Sequence, residues 1–203
     1  MTPAKILGRR TSTTAKLKVF LSSTVDDLRD ARNFFREQIQ ISNVELVCYE
    51  DHVSDNPGED LQDLSLRLVR ECGAIIMLLD RCYGTKYHRK PFLSITHAEF
   101  REAKKRGLRI IPIVPTQTLH EYWVWKKNQG SRIAALIKYR RVQEPKLFQF
   151  IHEIERKRVY IHQWNTLTSK KELRNIKDAI KGLLAPSTGL VLGHTALPMD
   201  GER

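Results

Sequence analysis

Between residues 17 and 115 the chain repeats one pattern: a short apolar run, a polar break, then apolar residues spaced three and four apart. Leu17-Lys18-Val19-Phe20-Leu21 is a run of strand formers that ends in Ser22-Ser23-Thr24, residue types that cap helices. Leu28, Ala31, Phe34, Phe35 and Ile39 then recur at helical spacing to about Gln40, with Asp26 and Asp27 placed for the first turn. Val44 to Tyr49 reads as a second strand, followed by a polar loop from Glu50 to Gly58 that holds a Pro57-Gly58 turn. Leu61, Leu64, Leu68 and Val69 mark a second helix. Ala74 to Leu79 is continuously apolar, as suits a central parallel strand covered on both faces. A loop runs from Asp80 to Leu93. Ser94 and Thr96 then open a third helix carrying Ala98, Glu99, Phe100 and Ala103, which Gly107 ends. Leu108 to Val114 is a fourth strand, and Pro112 places it near an edge or a bulge.

The pattern loosens after this. Leu119 to Lys127 is an aromatic and basic segment, Ile133 to Tyr139 is helical or extended, and Pro145 to Arg158 is helical. Val159-Tyr160-Ile161-His162 is a candidate fifth strand, and Ser169 caps a closing helix that reaches Leu184. Residues 1–16 read as a flexible basic arm and residues 186–203 as a disordered tail, leaving 17–185 as one domain. The alternation predicts a three-layer, flavodoxin-like α/β fold with a mainly parallel sheet of about five strands and a helical C-terminal portion. In such sheets ligands bind beyond the carboxyl ends of the strands, at the topological switch point. That rule brings residues 22–24, 50–60, 80–85 and 94–99 to one rim.

Composition narrows the class. The chain has 203 residues, 41% of them hydrophobic, which is enough for one well-buried core. No apolar run approaches the roughly 20 residues of a membrane span. Arg9-Arg10 is not followed by the apolar stretch of a secretory signal, so a cytoplasmic protein with no membrane partner is expected. Cys48, Cys72 and Cys82 are too few and too scattered for a disulfide framework. The net charge of +12 is unevenly spread: residues 22–71 hold 5 Lys/Arg against 12 Asp/Glu, and residues 81–158 hold 19 against 6. Such asymmetry suits two faces with different partners, nucleic acid or an anionic nucleotide among them, or a basic solvated helix surface.

Two stretches resemble a known family. Lys18-Val19-Phe20-Leu21-Ser22-Ser23-Thr24, followed by Asp27-Leu28 and Arg32, resembles the opening pattern VFxSSTxxDLxxxR of a TIR-like family catalogued as a domain of unknown function. That family often precedes a STAND-type NTPase module. Tyr83-Gly84 and then Ser94-Ile95-Thr96-His97-Ala98-Glu99-Phe100-Arg101-Glu102-Ala103 resemble its second pattern, YGS…SxTHxEYExA. The resemblance spans about residues 17–115. It implies a TIR-like fold, distantly similar to nucleoside deoxyribosyltransferases. Pro57-Gly58 falls where TIR domains carry the Pro-Gly of a mobile loop, and Glu99 where the enzymatic ones carry a glutamate that acts at an N-glycosidic bond. After Thr85 the basic Lys86-Tyr87-His88-Arg89-Lys90 departs from the family pattern.

The candidate site follows. Cleaving a ribosyl–nicotinamide bond expels a group that is already cationic and builds positive charge on the sugar carbon, which a neighbouring carboxylate stabilises. The resemblance gives that role to Glu99; read by spacing alone, Thr96-x-x-Glu99 is equally a capping box. Ser22, Ser23 and Thr24 offer backbone N–H groups and hydroxyls to phosphate or ribose, or serve only as caps. Asp80 can bind ribose hydroxyls or merely end a buried strand. Tyr83 can stack on a base beside a Gly84 that allows close approach, or both can be packing and turn residues. Ser94 and Thr96 stand at the same helix start. His97 can bind substrate or be a satisfied structural histidine, and Trp123 and Trp125 can cover a base or pack in the core. Cys72, Cys82, His88 and His97 lack zinc-site spacing, so no metal is expected. No Walker loop, GxGxxG or Gly-x-Ser-x-Gly motif is present. The leading expectation is cleavage or cyclisation of NAD, as substrate and not as a tightly bound cofactor, in prokaryotic antiphage defence, with self-assembly or a separate defence partner. The alternatives are a non-catalytic nucleotide-sensing or assembly module and nucleic-acid binding through the basic half.

Overall fold

The computed structural model describes residues 15–24, 27–165 and 169–184. The expected arm, the tail and Asp26 lie outside them, apart from residues 15 and 16. In chain order the elements are β1 (Leu17–Ser23), α1 (Arg29–Gln38), β2 (Val44–Val47), α2 (Leu61–Glu71), β3 (Ala74–Leu78), a hairpin of β4 (Lys86–Tyr87) and β5 (Lys90–Ser94), α3 (Ile95–Lys105), β6 (Arg109–Pro115), α4 (Thr116–Lys127), α5 (Lys146–Arg156), β7 (His162–Trp164) and α6 (Lys170–Gly182). Five strands form one parallel sheet in the order β2-β1-β3-β6-β7, and the antiparallel hairpin stands apart.

The sheet is buried on both faces because alternate residues feed two separate cores. On one face Val19, Leu21, Ala74, Ile76, Leu78, Ile111 and Ile113 pack with Leu28, Ala31 and Phe35 near and in α1, and with Ile176 and Ile180 of α6. On the other, Phe20, Ile75, Met77 and Val114 pack with α2, α3, α4 and α5 through Leu64, Leu68, Phe100, Tyr122, Phe150 and Ile154. The layers are therefore helix, sheet, helix, as the sequence predicts, and the flavodoxin-like strand order puts the switch point between β1 and β3. Among the described residues no helix is long and apolar enough to cross a membrane.

The elements depart from expectation where tertiary pairing overrides local pattern. β1 runs on through Ser22 and Ser23, because both continue in register with Met77 and Leu78 of β3. Neither caps α1, which begins at Arg29 behind Leu28 with no side-chain cap. β2 ends at Val47, and Tyr49–His52 is a 3-10 turn. The expected loop from Asp80 to Leu93 contains the β4–β5 hairpin, and the fifth sheet strand is His162–Trp164, displaced from Val159–His162. The segment from Leu119 to Lys127 belongs to α4, and in the expected stretch from Ile133 to Tyr139 only Ala134–Leu136 is helical, as one 3-10 turn. Pro112 sits in an interior strand. Ile113 accepts from Leu79 N on the β3 side, so the alternate Pro112 turns its missing N–H the other way, where β7 begins only opposite Ile113.

The start of α3 decides between two capping readings. Ser94 is the N-cap, its hydroxyl accepting from His97 N at 3.2 Å. Thr96 caps nothing: its Oγ1 is buried with no hydrogen-bond partner among the described residues. Ser94→Ala should cost about 1 kcal/mol, the usual value of such a cap. Thr96→Val should be neutral or stabilising, because it removes an unsatisfied hydroxyl at constant shape. Thermal unfolding of the two variants checks this, and a larger loss from Thr96→Val would restore the capping-box reading.

Candidate active site

A cavity of about 400 Å³ opens at the carboxyl ends of β1 and β3. Its walls are Ser22, Ser23 and Thr24 at the end of β1, Cys82, Gly84 and Thr85 after β3, Ile95, Thr96 and Glu99 of α3, Leu61, Gln62 and Ser65 of α2, together with Asp27, Arg32, Tyr49, Gln143 and Glu144. Three of the four expected stretches meet there. The fourth, 50–60, does not: the Pro57-Gly58 loop is held away against α2, where Arg67 bonds to Asn56 Oδ1 at 2.7 Å and to both oxygens of Glu59 at 2.8 and 3.1 Å.

Glu99 lies on the cavity floor, only 5% exposed. It sits beyond the first turn of α3, and its side chain leaves the helix for its neighbours: Ser22 of β1 donates to Oε2 and Ser65 of α2 donates to Oε1. Burial pushes its pKa up from 4.5 to about 7, while the Ser22 and Ser65 bonds and the Arg32 charge pull it down without prevailing. At neutral pH the group therefore stands poised between acid and carboxylate.

Arg32 forms the second buried station. Its Nη2 is bidentate to Glu50 at 2.7 Å for each oxygen, and its Nη1 donates to Leu21 O at 3.0 Å and Ser23 Oγ at 2.9 Å. Asp27 joins the two sides of the mouth. It receives the Thr24 hydroxyl, and its other oxygen accepts the backbone N–H groups of Arg81 and Cys82 at 3.1 and 3.2 Å. Gly84 is required by shape. Its φ is +94°, and a Cβ there would come within 2.7 Å of Thr24 Cγ2.

Four of the expected binders lie off the cavity lining. His97 is a satisfied structural histidine. Its Nδ1 meets Tyr83 Oη at 2.8 Å, its Nε2 meets Glu153 at 3.1 Å, and its ring stacks on Phe150 with centroids 4.0 Å apart. Burial depresses its pKa to about 4 against the pull of Glu153. Tyr83 is thereby engaged in packing. Asp80 is locked by Arg141 at 2.6 and 2.7 Å and by Thr118 at 2.8 Å. Ser94 is the cap described above. Trp125 packs against Tyr122 and Phe148, and Trp123 lies on the surface.

Sequence reasoning missed Ser65, Arg32 and Asp27 as site residues. Ser65 had a signal: Leu61, Leu64, Ser65 and Leu68 occupy one helical stripe, and a lone hydroxyl inside an apolar stripe needs a buried partner. Cys82 reaches the cavity, but burial and then the Asp27 charge push its thiol up to about 11, which favours the thiol over the thiolate at neutral pH. Away from the cavity lining, Asp60, Asp63 and His88 bring three ligand atoms within 4.8 Å of one another. Asp60 is already the cap of α2, and Asp63 is already paired with Arg89.

A family model described as a domain of unknown function, DUF4062, matches residues 18–177, which include every wall of the cavity. No curated protein matches the chain.

Two outcomes follow. Because the Glu99 pKa is raised on folding, its protonated form contributes stability that is complete below pH 4.5 and lost as the pH rises through about 7. Across that window the wild type should lose on the order of 3 kcal/mol relative to Glu99→Gln, read from urea midpoints, while the opposing His97 contribution cancels in the comparison. Gly84→Ala should cost about 1–3 kcal/mol in the same assay, from a strained φ and the contact with Thr24.

Proposed function

The chain belongs to the DUF4062 family, and from that footing we propose that it is a TIR-like nucleotide-processing enzyme that cleaves or cyclises NAD at the bond between nicotinamide and ribose. The observation that carries the reading is Glu99: a carboxyl group on the floor of a switch-point cavity, fixed at both oxygens by hydroxyls from two other elements. The two sequence patterns resembling the TIR-like family converge on this cavity and supply its Ser22, Ser23, Thr24, Gly84, Thr96 and Glu99.

Electrostatics favours one substrate orientation. The lining holds the carboxyl groups of Asp27, Glu99 and Glu144, and its one guanidinium, Arg32, is taken up by Glu50. Such a lining favours the cationic pyridinium end of NAD inside and the diphosphate at the mouth. As the C1′–N bond breaks, its electron pair leaves with nicotinamide and positive charge develops on the ribose. The Glu99 carboxylate faces that charge, and Ser22 and Ser65 hold it in place. Water then forms the new bond to C1′ and releases a proton to the Glu99 carboxylate or to solvent, which completes hydrolysis; cyclisation follows the same course with a nucleophile from the adenine end in place of water. The unpartnered Thr96 hydroxyl is available to a ribose oxygen. Self-assembly or a separate partner in a prokaryotic defence setting belongs to the same proposal.

Burial also favours a second reading. A carboxyl group kept protonated is a hydrogen-bonding group, which suits a non-catalytic nucleotide sensor. NAD consumption by wild type and Glu99→Gln, at low and high protein concentration with products resolved by chromatography, separates the two. The enzyme reading expects at least a hundredfold loss in the variant. Undiminished turnover by Glu99→Gln would remove the assigned role, and no turnover at any concentration with retained nucleotide binding would select the sensor. In the active case kcat/KM should rise with pH through about 7. The kcat limb should lie lower, because a bound cation favours the ionised carboxylate.

A further inference from the structure

α3 and α5 lie side by side and run in the same direction. His97 stacks on Phe150, and Glu153 receives His97 Nε2 at 3.1 Å and Arg101 Nη2 at 2.6 Å. From the Arg101–Glu153 pair the chain runs five residues on to Arg106, just past α3, and five to Arg158, just past α5. Lys104-Lys105-Arg106 and Arg156-Lys157-Arg158 therefore emerge together, at the amino ends of the strands and away from the cavity. All six are exposed, and none is paired with a carboxylate among the described residues. Arg109 opens β6 at the same pole and donates to Gly182 O at 3.1 Å, holding the end of α6.

Basic residues at helix ends are ordinary, since they offset the macrodipole. Each end carries about half a negative charge, so two ends offset about one of the six cations. The remainder is a positive surface with no internal partner. Half of these cations are arginines, suited to bidentate phosphate contacts. Just beyond Arg158, Tyr160 is 75% exposed. Exposed aliphatic side chains, which a lipid surface would need, are absent from residues 104–109 and 156–158. A row of guanidinium and ammonium groups beside an exposed aromatic ring matches a backbone with unpaired bases. We propose that this pole binds the phosphate backbone of single-stranded nucleic acid, with Tyr160 stacking on a base.

The test uses the full chain and fluorescein-labelled single-stranded RNA and DNA of mixed sequence, followed by fluorescence anisotropy over a range of salt. Binding should weaken with a slope of log K against log salt of about −4, for six contacts at about 0.7 each. The pairs Lys104→Glu/Lys105→Glu and Arg156→Glu/Lys157→Glu should each lower affinity at least about tenfold. The milder Lys104→Gln/Lys105→Gln should do so in the same direction with an unchanged melting curve. Tyr160→Ala should weaken single-strand binding and spare duplex binding. An equal charge reversal at the cavity end, Lys86→Glu/Lys90→Glu, should have little effect. Glu99→Gln should bind as wild type does, so a failed enzyme reading leaves this result intact. The relative affinities for RNA and DNA identify which of the two is held. No binding at low salt, salt-insensitive binding, equal loss from the cavity-end reversal, or preference for anionic lipid vesicles would each overturn the proposal.

Discussion

A carboxyl group removed from water must lose its charge or be met by donors, and the cavity end of this protein is organised around one that does some of each. Glu99 takes a hydroxyl from β1 and another from α2 while standing on α3. One side chain thus joins the central sheet to two helices of the same face, at the point where the strand order reverses. Each oxygen is supported, yet among the described residues no cation bonds to it, and the buried Arg32 is bound to Glu50. That separation leaves Glu99 with a pKa near neutrality, whereas a direct Arg32 contact would have fixed it as a carboxylate.

The fold was largely legible because each strand of the parallel sheet is a continuous apolar run, and each main helix shows its spacing. Legibility failed where a local signal had two physical uses. Ser22 and Ser23 have the chemistry of helix caps, but in-register pairing with β3 claims their backbone and leaves their side chains to Glu99 and Arg32. The basic run after Thr85 gave no strand alternation, and its pairing across a short hairpin is visible only in three dimensions. α4 escaped notice because its polar and apolar residues are mixed around the helix, with Trp123 and Val124 outward and Tyr122 inward.

The lining of the candidate cavity was legible only in part. Of the candidate residues, Ser22 of β1, Gly84 in the loop after β3 and Glu99 of α3 line the cavity at the switch point. His97 and Asp80 did not reach the cavity, because each satisfies a buried partner on a neighbouring segment that sequence cannot locate: Glu153 lies 56 residues from His97, and Arg141 lies 61 from Asp80. Conversely, the acidic cavity lining and the cations at the opposite pole are one consequence of helices running against strands.

Pro112 has a role that emerges only if the sheet loses its last strand. β7 holds β6 through three residue pairs, and no wall of the cavity lies beyond Glu144. The edge formed by β7 and α6 is therefore the part of the sheet most easily opened without disturbing the cavity. Once opened, β6 would present its bare side to other chains, as any exposed strand does. On that side Pro112 has no N–H to offer. A residue that looks misplaced in an interior strand thus guards against intermolecular strand addition during partial unfolding, and keeps a transient opening from becoming the first step of aggregation.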